Sequence, residues 1–142
     1  MKVRDMMSQR VITVTPEENL AVAARLLSHY NIGALPVCTK EGRLRGIVTD
    51  RDIVLRCVAT EDDPCGTRVS DVMTRRIVSV DADEPINVAA ELMSDRQIRR
   101  LPVQSGGRLV GMVSLGDLAK VPDFSTEAAG ALESVSSNFR RK

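Results

Sequence analysis

The sequence predicts an α+β protein built from two similar β-α-β-β-α units in tandem, with a short C-terminal helix after them. Two observations support this prediction. Residues 3–37 align with residues 69–103 without a gap, and fifteen of the 35 aligned positions are identical. A motif that starts with glycine and ends with aspartate then follows in both copies, at residues 46–52 and 111–117. A repeat of this length indicates a duplicated structural unit.

The repeat divides the chain into a first domain at residues 1–60, a polar linker at residues 61–68, a second domain at residues 69–122 and a tail at residues 123–142. A chain of this length buries about two-thirds of its unfolded surface, whereas each half alone would be marginally stable. We therefore expect the two domains to fold as a pair.

The charge and hydropathy of the chain exclude several classes of partner. The net charge of +1, from 20 basic and 19 acidic residues, gives no electrostatic footprint for nucleic acid. No apolar run approaches the roughly 18 residues of a membrane span, and the first residues lack the apolar core of a signal peptide. We therefore expect a cytoplasmic protein that binds neither nucleic acid nor membrane.

Residues that support metal or nucleophilic chemistry are scarce. The chain has one histidine, His29, and three widely spaced cysteines, Cys38, Cys57 and Cys65. This spacing is neither a zinc pattern nor a disulfide framework. The sequence therefore predicts no metal site and no catalytic residues.

Each repeat opens with an entry segment, at residues 3–7 and 69–73, which we expect to be a helical turn or a loop. The β-branched runs at residues 11–14 and 77–80 favour a short strand. The strand is therefore expected to lead directly into the first long helix of the repeat.

Helix start signals follow the first strand. Thr15 as N-cap, Pro16 at the first helical position and Glu18 at the third predict a helix that begins at Thr15, and residues 81–84 predict the same start in the second repeat. Apolar residues then recur at the spacing that places one helix face on a sheet. They are Leu20, Ala23, Ala24 and Leu27 in one copy and Ile86, Ala89, Ala90 and Met93 in the other.

A β-hairpin is expected after each helix. Residues 32–37 and 98–103 form its first strand, and their Leu-Pro-Val sequence suits an edge position because proline cannot donate to the ladder. Turns at residues 40–42 and 105–107 return the chain antiparallel.

The final helix of each repeat begins at Thr49 or Ser114, whose hydroxyl oxygen can cap the helix. Asp52 and Asp117 then occupy the third helical position, which makes a capping box that needs no ligand. A strand that runs into a helix N-terminus is also suited to a phosphate or a sugar edge. The duplication of the motif favours a ligand site, and both interpretations stay open.

The tail carries apolar residues at helical spacing. The helix is expected either to pack on its own chain or to complete a dimer. The residues are Phe124, Ala128, Leu132, Val135 and Phe139.

The motifs quoted above resemble those of the CBS domain family in its paired form, the Bateman module. They are Leu-Pro-Val at residues 35–37 and 101–103, and Gly-x-x-Thr/Ser-x-x-Asp at residues 46–52 and 111–117. The resemblance covers about residues 1–122. It implies two units related by pseudo-two-fold symmetry, with two clefts between them that hold adenosyl compounds in ligand-binding members: AMP, ADP, ATP or S-adenosylmethionine.

The resemblance also implies residue roles. The motif aspartate takes the ribose hydroxyls, the motif threonine or serine helps to hold ribose or phosphate, and the first strand and the Leu-Pro-Val backbone frame the adenine. The implied ligand-binding residues are Thr13, Ala34, Pro36, Val37, Thr49 and Asp52 in one site, and Ser79, Arg99, Arg100, Pro102, Val103, Ser114 and Asp117 in the other.

The two implied sites differ in charge. Arg99 and Arg100 replace a Gly-Ala pair of the first repeat, and arginine is geometrically suited to phosphate. They are equally compatible with plain surface charges. Asp50 and Asp52 place two carboxylates at the first site, which would repel polyphosphate unless Arg51 or a metal compensates. We therefore expect unequal affinities, with the tighter phosphate-binding site in the second repeat.

These features favour a non-catalytic regulatory module that binds an adenosyl nucleotide and signals through the geometry of a homodimer to a partner protein. The alternative is a ligand-free module for dimerisation or protein interaction. An enzyme ranks last, because the sequence shows no nucleophile–base set and no metal cluster.

Overall fold

The structure, a computed structural model, describes residues 1–121. The predicted α+β fold with two similar repeats is confirmed, and the predicted C-terminal helix lies outside the described residues. In chain order the elements are α1 (Val3–Met6), α2 (Leu20–Tyr30), β1 (Ala34–Cys38), β2 (Leu44–Thr49), α3 (Asp50–Ile53), a π-helical turn (Val54–Val58), α4 (Val69–Val72), β3 (Val80–Asp81), α5 (Ile86–Arg96), β4 (Arg100–Ser105), β5 (Arg108–Ser114) and α6 (Leu115–Ala119).

Both predicted hairpins are present. Strand β1 pairs antiparallel with β2, with Leu35 opposite Val48, and β4 pairs antiparallel with β5, with Leu101 opposite Val113. All four of these side chains are buried. The hairpins therefore supply the same sheet face to the core of each repeat.

Proline limits the parallel pairing at the start of each repeat. The strand predicted at residues 11–14 is a single bridge between Val14 and Val37. Extending this parallel ladder toward the N-terminus would require an N–H from Pro36, which has none. Pro102 sets the same limit in the second repeat, where β3 begins its pairing with β4 opposite the residue after the proline.

The expected edge position of Leu-Pro-Val is wrong for the second repeat, where β4 lies between β3 and β5. Pro102 is tolerated in this central strand because the parallel pairing with β3 starts at Val103, beyond the missing N–H.

The predicted helix start at Thr15 is also wrong. Helix α2 begins at Leu20, and the side chain of Asn19 accepts a hydrogen bond from the Val22 N–H at 3.0 Å. Residues 15–18 form a turn instead, because the carbonyl oxygens of Pro16 and Glu18 accept bonds from the backbone N–H groups at the start of α4. A tertiary contact therefore overrides the local start signal.

The second repeat departs from the prediction in the same way. Helix α5 begins at Ile86, and residues 81–84 form the turn before it. The carbonyl oxygens of Ala82 and Glu84 accept from the N–H groups of Arg4 and Val3, both at 2.9 Å. At both helix starts, the turn therefore pairs with the entry segment of the other repeat.

These contacts show that the entry segments are exchanged between the repeats. The described residues form two compact units: residues 12–77 make the first-repeat unit, and residues 1–11 with residues 78–121 make the second-repeat unit. Helix α1 therefore packs with the second repeat and α4 with the first. The boundaries of the sequence repeats, predicted at residues 1–60 and 69–122, do not coincide with these compact units.

Each unit has its own apolar core, in which one exchanged helix takes part. The core of the first-repeat unit consists of Val14, Leu20, Ala23, Leu27, Leu35, Val37, Val48, Ile53, Cys57, Val69, Val72 and Met73. The core of the second-repeat unit includes Val3, Val80, Ala82, Ile86, Ala89, Ala90, Met93, Leu101, Val103, Val113, Leu115, Leu118 and Val121. Among residues 1–121, no helix combines the length and apolar character needed to cross a membrane.

The motif glycine of each hairpin is required by the exchanged segment. Thr74 forms a backbone bridge with Ile47, and Ser8 forms the equivalent bridge with Met112. A Cβ atom at Gly46 would stand 2.8 Å from the Thr74 carbonyl oxygen, and one at Gly111 would stand 2.7 Å from the Ser8 carbonyl oxygen. Only glycine leaves room for this crossing of two backbones.

We predict that Gly46→Ala and Gly111→Ala each lower the free energy of unfolding by about 1–3 kcal/mol, the usual cost of overpacking. Gly116→Ala is the matched control: it lies within α6, where its Cβ would meet only the Ser114 hydroxyl at 3.6 Å. Alanine should there be stabilising by about 0.5–1 kcal/mol. Urea denaturation checks all three variants, and unchanged stability of the first two would contradict the crossing.

Candidate functional site

The motif of the first-repeat unit forms a complete capping box. Strand β2 ends at Thr49, which is the N-cap of α3. The Thr49 hydroxyl accepts from the Asp52 N–H at 3.0 Å, and Asp52 Oδ2 accepts from the Thr49 N–H at 3.0 Å. The capping role considered for this motif is therefore present.

The second-repeat unit has the same arrangement. Ser114 is the N-cap of α6, and its hydroxyl accepts from the Asp117 N–H at 3.1 Å. Asp117 Oδ2 accepts from the Ser114 N–H at 2.9 Å. The backbone geometry of the motif is thus duplicated along with its sequence.

The two aspartates differ in the additional hydrogen-bond donors to their carboxylates. Asp52 is only 8% exposed, and the Thr74 hydroxyl donates to its Oδ1 at 3.2 Å and its Oδ2 at 3.3 Å. Asp117 is half-buried, and within residues 1–121 the Ser114 N–H is the donor to its carboxylate. Ser8 aligns with Thr74, but its exposed side chain makes no hydrogen bond with Asp117. One carboxylate is therefore satisfied by its own chain, and the other keeps free acceptor capacity.

Sheet register brings part of each predicted residue set together. Ala34 lies directly opposite Thr49 in the first hairpin, and Arg100 lies directly opposite Ser114 in the second. The start of the first hairpin strand therefore adjoins the capped helix in both units.

The residues predicted to frame the adenine lie on the first hairpin strand or just before the segment that pairs with it. Thr13 precedes Val14, which bridges to Val37, and Ser79 precedes the strand that pairs with Val103. The side chains of Val37 and Val103 are fully buried in the apolar cores, so only their backbone is available to a ligand. Pro36 and Pro102 are also buried.

The equivalent turns of the two units carry different charged side chains. In the second-repeat unit the Leu115 N–H donates to the Arg99 carbonyl oxygen at 3.0 Å, which holds exposed Arg99 and Arg100 beside the start of α6. In the first-repeat unit the same bond runs from the Asp50 N–H to the Gly33 carbonyl oxygen at 3.2 Å. Within residues 1–121 neither arginine forms an ion pair. The second copy thus carries two cationic side chains where the first has Gly33 and Ala34, and the first copy carries the exposed carboxylate of Asp50 where the second has Leu115.

The thiols show no arrangement for chemistry. Burial raises the pKa of the Cys38 thiol, which disfavours the reactive thiolate at neutral pH. Cys57 is buried and its thiol donates to the Asp62 carbonyl oxygen at 3.4 Å, whereas Cys65 is exposed. Among the described residues, no group of three or more His, Cys, Asp or Glu side chains could hold a metal ion.

Thr74 is the functional candidate that the sequence analysis missed. It lies near the start of the second repeat, in the entry segment that crosses the hairpin of the first-repeat unit. The alignment contains a signal for it, because both copies carry a hydroxyl residue at this position, Thr74 and Ser8. Its contact with Asp52 spans 22 residues of chain, so local patterns do not predict it.

Comparison with known proteins agrees with this duplicated architecture. The CBS domain family matches the chain twice, at residues 3–59 and 69–123. The chain therefore belongs to the CBS domain family, and its repeats are a tandem pair of CBS domains. It is 44% identical over 129 residues to the CBS domain-containing protein YhcV of Bacillus subtilis, a match that covers 91% of this chain and 90% of that protein.

Two solved structures share the fold at appreciable sequence identity. Hypoxic Response Protein I, solved with two coordinated zinc ions, has a TM-score of 0.77 and 38% identity over 85% of this chain and 98% of that one. The CBS domain pair of protein MJ0100, solved with 5′-methylthioadenosine and S-adenosyl-L-methionine, has a TM-score of 0.70 and 30% identity over 85% of this chain and 94% of that one.

We predict that Asp52→Ala costs more stability than Asp117→Ala. Loss of the capping box alone costs about 1 kcal/mol, which is the expectation for Asp117→Ala. Asp52→Ala also removes the acceptor of the Thr74 hydroxyl, and hydrogen bonds to a charged group contribute about 1.5–3 kcal/mol. Thermal and urea unfolding of both variants measure the difference. Equal losses would show that the Thr74 contact contributes nothing.

Proposed function

We propose that this protein is a non-catalytic regulatory module that binds an adenosyl compound at the motif of its second-repeat unit. The observation that carries the proposal is the half-buried carboxylate of Asp117, which keeps acceptor capacity beside two arginines that form no ion pair within residues 1–121. The adenosyl ligands of the related CBS domain pair support the ligand class.

The ribose diol is the part of the ligand that suits Asp117. A carboxylate has about four acceptor positions on its two oxygens, and the capping bond from the Ser114 N–H uses one of them. Two vicinal hydroxyls can donate to the remaining positions in charge-assisted bonds, which are the stronger class of hydrogen bond. Capping orients the carboxylate, so little side-chain entropy remains to be lost on binding.

Phosphate groups suit the arginine pair. The backbone bond from Leu115 to Arg99 fixes the main chain at this point, while both guanidinium groups stay exposed. Their planar donor sets match phosphate oxygens in a bidentate manner. We therefore propose that AMP, ADP or ATP binds more tightly than S-adenosylmethionine. Ser114, directly opposite Arg100 in the hairpin, and Ser79, which precedes β3, are proposed to supply further polar groups.

The base must be held without aromatic stacking. Aromatic residues make up 2% of the chain, so the adenine is expected between aliphatic side chains and the backbone around Pro102 and Val103. Binding of this kind gains its specificity from the sugar and the phosphate. No step of the proposed role requires a catalytic residue.

The output is proposed to pass through a homodimer to a protein that remains to be identified, and the cytoplasmic location stays a prediction. A second candidate function is a ligand-free module for dimerisation or protein interaction. The observation in its favour is that both motif aspartates already complete capping boxes, which explains the motif without a ligand.

We predict that at least one of AMP, ADP, ATP or S-adenosylmethionine raises the melting temperature. Ligand at 100 times its dissociation constant contributes about 2.7 kcal/mol, and each kcal/mol is worth roughly 2–4 °C in a chain of this size. Asp117→Ala should abolish the shift, while Asp95→Ala, an exposed carboxylate on α5, should retain it. If all the nucleotides raise the melting temperature and 5′-methylthioadenosine does not, the arginines contribute most of the affinity.

A flat response to every compound, confirmed by calorimetry, would favour the ligand-free module. Replacing both Arg99 and Arg100 by glutamine separates phosphate from ribose recognition. The double variant should lose affinity for ATP and keep its affinity for 5′-methylthioadenosine.

We predict that the full chain is a homodimer at micromolar concentration, because units of this size are marginally stable alone. Light scattering should give twice the chain mass. A form that ends at Pro122 tests whether the tail contributes: a monomer would assign the dimer contact to residues 123–142. A monomeric full-length protein would contradict the dimer itself.

A further inference from the structure

We infer that the first motif copy is closed by its own chain, so that the protein takes one adenosyl ligand per chain and not two. The Thr74 hydroxyl donates to the Asp52 carboxylate. In the other copy, the equivalent carboxylate of Asp117 stays available. This inference rests on the proposed function, because it states which of the two motif copies carries it.

Thr74 meets the same atoms that a ribose diol would use. Its hydroxyl lies within hydrogen-bond distance of both Asp52 oxygens, at 3.2 and 3.3 Å, while the Thr49 N–H occupies Oδ2 as well at 3.0 Å. With 8% of Asp52 exposed, little carboxylate surface is left for a ligand. A diol must therefore displace Thr74 before it can bind.

The backbone holds Thr74 in this position. Its N–H donates to the Ile47 carbonyl oxygen at 2.8 Å, and its carbonyl oxygen accepts from the Ile47 N–H at 3.0 Å. The hydroxyl is thus tethered beside the carboxylate, and a tethered group competes at an effective concentration in the millimolar range or above. A ligand at micromolar concentration competes poorly with such a donor.

The other copy has the same backbone bridge but lacks the closing contact. Ser8 exchanges hydrogen bonds of 2.8 and 2.9 Å with Met112, yet its hydroxyl makes no bond to Asp117. Threonine is β-branched and restricted about its first side-chain torsion, whereas serine rotates more freely. A single methyl group therefore accompanies the difference between the closed and the open copy.

Charge acts in the same direction. Asp50 is exposed beside the first motif, and its Oδ1 accepts only the N–H of Arg51 at 2.8 Å among residues 1–121. A phosphate near this carboxylate would be repelled. The first copy therefore combines an occupied ribose acceptor with an unfavourable phosphate environment, and the second copy has neither.

The test is calorimetric titration of the full chain with AMP and with 5′-methylthioadenosine, the latter being free of phosphate. Wild type should bind one molecule per chain, at the site lost in Asp117→Ala and retained in Asp52→Asn. Thr74→Val removes the hydroxyl while keeping the branched shape. It should reveal a second binding event, with affinity for 5′-methylthioadenosine at the first motif raised about tenfold or more.

The second event should disappear in the double variant Thr74→Val with Asp52→Ala. Ser8→Ala is the matched control in the other copy and should leave the stoichiometry at one. If Thr74→Val fails to unfold cooperatively, Thr74→Ser replaces it as the test variant. The affinity for 5′-methylthioadenosine at the first motif should then rise above that of wild type.

Three outcomes would overturn the inference. Wild type that binds two ligands, one of them lost in Asp52→Ala, would show that Thr74 does not close the first copy. A folded Thr74→Val protein that binds as wild type does would show the same, while leaving the proposed function intact. Absence of binding by wild type and by Thr74→Val alike would remove both the proposed function and the closure.

Discussion

In each unit an exchanged entry segment crosses a hairpin strand at a glycine, so closely that a Cβ atom there would stand 2.8 Å or less from a backbone carbonyl oxygen. The rest of each unit depends on this crossing. It supplies the outer backbone partner of β2 and β5, and it carries a buried helix residue, Val69 or Val3, into the core of the other repeat's strands and helices. It also determines which side chain stands beside the motif aspartate, and so links the fold to the candidate site.

Helix capping and ligand binding are compatible uses of the same aspartate. The capping bond takes one acceptor position of a carboxylate that has about four. Asp117 is oriented by this bond and retains the other positions, whereas Asp52 also receives the Thr74 hydroxyl. The motif can be read as a ligand site or as a helix cap. The two interpretations differ only in which groups donate hydrogen bonds to the remaining acceptor positions of the carboxylate.

Duplication has allowed the two copies to keep one backbone and diverge in chemistry. The hairpins, caps and crossings are equivalent in both units, and around the motif the copies differ in a few side chains. Arg99 and Arg100 stand where the first copy has small residues, and Ser8 stands where the first copy has Thr74. Charge and hydroxyl placement thus separate the two copies of the motif, while their hairpins, caps and crossings stay alike.

The sequence by itself determined the repeat, the hairpins and the capping boxes at Thr49 and Ser114, because these depend on residues within a few positions of one another. Tertiary structure decided the rest. The predicted helix start at Thr15 is replaced by a turn, because hydrogen bonds from α4 hold that segment. Pro102 lies in a central strand, because the parallel pairing of β3 with β4 begins at the residue after it. The contact of Thr74 with Asp52 joins residues 22 positions apart, and it exists only because the exchanged segment crosses at Gly46. Local patterns carry no information about such a crossing, since its partners meet only when the chain has folded.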